Sequence, residues 1–135
     1  MGQVAAPVVW GAVGMAVGAL LNAAASDDEG RQYLYHFTDE RGYLGITEEN
    51  TIAVSRTFGV TWFSPTPYQS ASKARQELAL PRTPVGYFEV PVQDVQPMSP
   101  SLRVEPKYDQ PGGGVEIIVT HSVSARNARF VRIGP

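Results

Sequence analysis

The stretch that most restricts the fold is YLYHFT, Tyr33–Thr38, followed at once by DERGYLGITEEN. Side chains alternate through the first segment with the period of a strand, and apolar residues recur at helical spacing through the second. The same short-range switching continues to the C-terminus. TIAVS and VTWFS read as strands, SPTPYQSASKARQELAL as a helix, and VGYFEVPV, GVEIIVTHS and ARFVRIG as further strands. Many short strands with two short helices predict a mixed, strand-rich α+β domain over residues 31–135. No internal repeat interrupts the pattern.

Local signals set the expected boundaries. Thr38 or Asp39 can cap the first helix, and Asn50 suits a left-handed stop after it. For the second helix, Thr66 as cap, Pro67 at the first helical position and Gln69 as the capping-box partner predict a run to about Leu80. Pro91 marks the edge or the end of its strand, because it lacks an amide for the ladder. The segment QDVQPMSPSLRVEPKYDQPGGG is long and rich in Pro and Gly, which predicts a functional loop.

Composition narrows the chemistry. The chain has 135 residues, of which 43% are hydrophobic, enough for one domain with its own core. It has no cysteine, so disulfides, a thiolate nucleophile and cysteine zinc sites are excluded. Two histidines make a dedicated metal cage an unfavoured reading. A formal charge of −2 provides no strong field for nucleic acid. A nucleophile elbow of the G-x-S-x-G type and a Walker phosphate loop are both lacking, and paired-carboxylate hydrolysis has no evident second partner.

The charges begin only at Asp27. VAAPVVWGAVGMAVGALL, residues 4–21, is uncharged and close to the length of a thin hydrocarbon layer. Three readings of residues 1–30 are open. A signal peptide fits the apolar run but lacks a basic start. A membrane or translocation helix fits Gly14 and Gly18 in small-xxx-small spacing. A glycine- and alanine-rich linker ending in ASDDEG fits as well.

Among individual residues, Glu116 faces away from Val115, Ile117 and Val119 and shares its face with Ile118 and Thr120. A carboxylate beside an apolar neighbour, just after Gly112, Gly113 and Gly114, is placed for partial burial at a cleft floor. A solvent-exposed strand glutamate is the plain alternative. His36, between Tyr35 and Phe37, reads alone as a packing histidine. His121 falls on the opposite face from Glu116 and reads as structural. Arg126, Arg129 and Arg132 read as the charged edge of a terminal strand.

Taken together, three of these segments resemble the His-Tyr-Glu group of ADP-ribosyltransferases, which includes diphtheria-type toxins and poly(ADP-ribose) polymerases. LYHFTDERGYLGI is similar to the opening strand and helix of that group, VTWFSPTPYQSASKA to its aromatic strand and following helix, and GGVEIIVT to the strand that begins with the catalytic glutamate. The likeness extends over most of residues 33–120 and also reaches toxin domains at the tips of bacterial polymorphic toxins.

The resemblance implies a split β-sandwich with NAD+ in the cleft between two small sheets, cleavage of the nicotinamide–ribose bond, and no metal. It implies that His36 binds the adenosine-side ribose, that the Phe37 backbone pins the nicotinamide carboxamide, and that Thr38 supports the strand end. Trp62 stands where the group has its first stacking tyrosine, with Phe63 and Ser64 framing the nicotinamide. The second ring position falls near Lys73, with Tyr68 as the nearby aromatic. Glu116 is the implied catalytic carboxylate, acting with His36 and Trp62.

The segment EPKYDQPGGG is where the group recognises its acceptor. Gly114 stands where arginine-modifying members carry Gln or Glu, which speaks against an arginine acceptor. The function implied is a secreted or delivered bacterial toxin that transfers ADP-ribose from NAD+ to a macromolecule, protein or nucleic acid, in the target-cell cytoplasm, with a cognate immunity protein as partner and membrane contact through residues 4–21. No specific nucleic-acid partner is implied. An NAD+ glycohydrolase with water as acceptor, and a catalytically silent binding module, are the alternatives.

Overall fold

The computed structural model describes residues 32–135. The apolar leader, with its expected membrane contact, lies outside the described residues. Eleven elements follow in order: β1 (Tyr33–Thr38), α1 (Glu40–Glu49), β2 (Thr51–Ile52), β3 (Thr61–Phe63), α2 (Ala71–Glu77), β4 (Gly86–Pro91), α3 (Val92–Val95), β5 (Leu102–Arg103), β6 (Val115–Val119), β7 (Val123–Ser124) and β8 (Arg129–Arg132). The domain is α+β, and every strand pair is antiparallel.

Two three-stranded sheets carry the architecture, one ordered β1-β4-β8 and the other β3-β6-β5, with β2-β7 as a small third pair. The backbones of the two larger sheets join at one β-bridge. Tyr35 and Ser64 exchange both backbone bonds, at 2.9 and 2.7 Å. Leu34, Val90, Ile117 and Val119 from the two sheets are fully buried, with Phe63 and Met98 in the same cluster. Each such side chain contributes about 1.5–3 kcal/mol relative to exposure.

α1 starts where Asp39 accepts from the Gly42 amide at 2.9 Å, so Asp39 rather than Thr38 is the cap. It stops at Asn50, whose φ of 56° and ψ of 32° are left-handed. α2 departs from expectation at both ends. Ser64 holds Thr66 in a turn, accepting from its amide at 2.9 Å and donating to its carbonyl at 3.0 Å. Thr66 is therefore withdrawn from capping, and the helix begins later, with the Ser70 hydroxyl accepting from Lys73 N–H. At the other end Ala79 N–H bonds to Gln76 O and Leu80 N–H to Arg75 O, with Ala79 at φ 48°. These two bonds and the left-handed residue form a Schellman stop, which ends α2 before Leu80.

The two expected helices are joined by a third. α3 is a single turn directly after Pro91 that buries Val92 and Val95 three residues apart. Four residues are too few to show a period in sequence. Pro91 ends β4 without placing it at an edge, since β4 is the central strand of its sheet. Val115 is exposed at the mouth of β6, while Ile117 and Val119 enter the core as expected.

Candidate active site

Beyond the Tyr35–Ser64 bridge, β1 and β3 stop pairing. Because Tyr35 uses its edge of β1 for Ser64, the alternation of an antiparallel strand turns the Phe37 amide and carbonyl toward the same side two residues on. There β3 offers them no backbone bond. Instead the His36 Nδ1 lies 2.9 Å from the Trp62 carbonyl oxygen. A carbonyl only accepts, so Nδ1 carries the proton, and a neutral ring keeps Nε2 as an acceptor.

The parting strands open a cleft of about 460 Å³, a size typical of small-molecule sites. His36, Phe37, Trp62, Phe63, Ser64 and Glu116 all line it. His36 packs on Phe63 with ring centroids 5.6 Å apart. Burial holds its imidazole below the ordinary range, an effect opposed by the bond to Trp62. The ring is accordingly neutral at pH 7.

Glu116 reaches the cleft by register. Leu102 and Glu116 pair across β5 and β6, and Trp62 and Ile118 across β3 and β6. Directly paired residues share a face, so Glu116, Ile118 and Trp62 lie on one side of the sheet, away from Ile117 and Val119. Among the described residues the Glu116 carboxylate makes no hydrogen bond or ion pair. Burial pushes its carboxyl upward, and Lys107 draws it back.

Three expected cofactor residues lie outside the cleft lining. Thr38 is buried beneath α1, donates to Asp39 O at 3.2 Å and accepts from Val85 N–H at 2.9 Å through its carbonyl. Lys73 is exposed and pairs with Glu77 at 3.6 Å, one helical turn away. Tyr68 donates to Glu77 Oε1 at 2.9 Å and sets its ring against Phe37 at 5.9 Å.

At the mouth, Lys107 and Tyr108 come from the EPKYDQPGGG segment, and Phe58 is a further lining residue that the sequence did not single out. Phe58 is exposed and stands edge-on to Trp62 at 5.7 Å. Lys107 Nζ lies over Phe58 at 4.7 Å and over Tyr108 at 5.1 Å, close enough for cation–π attraction. Tyr108 and Asp109, both at positive φ, form the tip of a two-residue turn closed by Lys107 and Gln110. The signal for Phe58 was an aromatic beside Gly59 in a polar inter-strand loop. The wall is completed by Leu78–Pro81, which the Schellman stop folds toward the cleft.

Elsewhere, His121 sits between the carbonyls of Pro97 and Ser122, at 3.1 and 3.0 Å. Arg129 and Arg132 on the edge strand β8 pair with Glu89 and Glu40. Among the described residues no cluster of three or more metal-ligating side chains occurs, and no helix is long and apolar enough to cross a membrane. Searches against protein-family models, curated proteins and solved structures give no match to the chain.

Proposed function

We propose that the domain is a bacterial toxin ADP-ribosyltransferase that binds NAD+ in this cleft and transfers ADP-ribose to a macromolecule. The observation that carries the reading is the convergence of His36, Trp62 and Glu116 on one cleft, from segments that are far apart in sequence. Two sheets joined at a single bridge support the split β-sandwich that the resemblance implies.

In this reading the Nε2 of His36 accepts a hydrogen bond from the adenosine-side ribose. The Phe37 amide and carbonyl bind the carboxamide of the nicotinamide, whose ring stacks on Trp62. Glu116, ionised, accepts from a hydroxyl of the nicotinamide ribose and stabilises the positive charge that grows at the anomeric carbon. The carbon–nitrogen bond breaks with its electron pair going to nicotinamide, and an acceptor lone pair forms the new bond. A protonated acceptor then releases its proton to solvent. Gly114 bears no side chain, so acceptor selection falls to Lys107, Tyr108 and Phe58 at the mouth. Delivery to a target-cell cytoplasm, membrane contact through residues 4–21 and a cognate immunity protein belong to the same proposal.

The test is nicotinamide release from NAD+ by the purified protein, with and without cell lysate. Release that rises with lysate, together with labelled macromolecules, supports transfer. Release independent of lysate assigns the glycohydrolase, and no release in either condition overturns the reading.

A further inference from the structure

The carboxyl end of α2 is not a free helix end. Gly112 N–H donates to Gln76 O at 2.9 Å and Gly114 N–H to Glu77 O at 3.0 Å, so two of the last carbonyls of α2 are satisfied by the glycine arm. The arm is closed on its other side by Gly113 N–H to Val104 O and Val104 N–H to Gly114 O, both 2.9 Å. Gly114 is buried, and a Cβ there would lie 2.9 Å from Glu77 O and 3.0 Å from the Tyr68 hydroxyl. That hydroxyl is itself fixed by its bond to Glu77 Oε1. The arm therefore rests on a platform made by one helix end and one tyrosine oxygen, and Glu116 follows two residues later.

We infer that Tyr68 and Glu77 are positioning residues for Glu116, acting through Gly114, and that Tyr68 contributes no stacking face to a ligand in the cleft. The inference rests on reading Glu116 as the carboxylate at the reacting centre. Its physical basis is that a catalytic group needs a supporting shell held by packing and hydrogen bonds, because small displacements of the group are costly. The Glu116 carboxylate makes no hydrogen bond or ion pair among the described residues, so its aim depends on the backbone that carries it. The segment that leads into β6, two residues before Glu116, is this arm.

The chemistry of the contact separates positioning from stacking. Tyr68→Phe keeps the ring against Phe37 and removes only the hydroxyl. Glu77→Gln keeps an acceptor for Tyr68 and loses the charge, whereas Glu77→Leu removes the acceptor. The experiment measures kcat and KM for nicotinamide release by these variants and follows the Glu116 carboxyl carbon by NMR through a pH titration. Tyr68→Phe and Glu77→Leu should lower kcat about tenfold with KM nearly unchanged. Their Glu116 midpoint should fall toward the ordinary glutamate value as the loosened arm admits water. Glu77→Gln should stay close to the parent in both measurements.

A Tyr68→Phe protein with the parental kcat and midpoint overturns the inference, as does one that raises KM alone. Should the parent protein release no nicotinamide, the functional reading fails by itself. The titration midpoint still decides the positioning claim, since it reads the arm and not the reaction.

Discussion

The His36 Nδ1 lies 2.9 Å from the carbonyl oxygen of Trp62, across the gap where β1 and β3 part. One hydrogen bond thus spans the two sheets beside the cleft, fixes the tautomer of the ring and points its free nitrogen to a separate task. Replacing His36 by Phe retains an aromatic ring on Phe63 but leaves the Trp62 carbonyl without this donor. The expected cost is about 1–3 kcal/mol in denaturant unfolding, with weaker NAD+ binding by calorimetry. A variant of unchanged stability and affinity would remove His36 from both roles.

The pH dependence of the reaction should follow Glu116. Burial raises its carboxyl above the ordinary 4.5 and Lys107 lowers it, while the proposed mechanism requires the ionised form. The acid limb of kcat/KM should therefore lie above pH 4.5 and move to still higher pH in Lys107→Met, where the opposing charge is gone. A limb that stays put in that variant would detach Lys107 from the site.

The same carboxyl has a stability signature of defined sign. Its folded value is above the unfolded one, so the folded state holds the proton more tightly and gains stability below about pH 4.5. That gain is lost as pH rises through the folded value. At pH 7.5, Glu116→Gln should consequently melt at a higher temperature than the parent, with the difference closing below pH 4.5. Equal melting at pH 7.5 would mean that the carboxylate is solvated at no cost.

The cap of α1 offers a test remote from the cleft. Asp39 accepts from Gly42 N–H and also pairs with Arg82 at 3.4 Å. Asp39→Ala should cost about 0.5–2 kcal/mol, read from the shift in denaturant midpoint, whereas Thr38→Ser should leave the cap intact.

Legibility in the sequence divided along physical lines. The strand–helix entry at Tyr33–Glu49 was readable because alternation, an acidic cap and Asn50 are all local signals. The face of Glu116 followed from strand period alone, whereas nothing local in the triple glycine announces that its arm rests on the end of α2. The start of α2 was misread because Ser64, earlier in the chain, occupies Thr66 through a turn that capping patterns do not encode. α3 is one turn, too short for a period to emerge. The resemblance puts Lys73 and Tyr68 at the cleft, but both lie outside its lining, each held to Glu77. Phe58 and Lys107 meet only through folding of two loops, and no local pattern announces such a contact.

The most direct measurement is labelled NAD+ incubated with cell lysate and either the parent protein or Glu116→Gln, with Trp62→Ala alongside. The account predicts label on a macromolecule with the parent, a loss of about 100-fold or more in rate with Glu116→Gln, and weakened NAD+ binding with Trp62→Ala. Equal labelling by the parent and Glu116→Gln would contradict it.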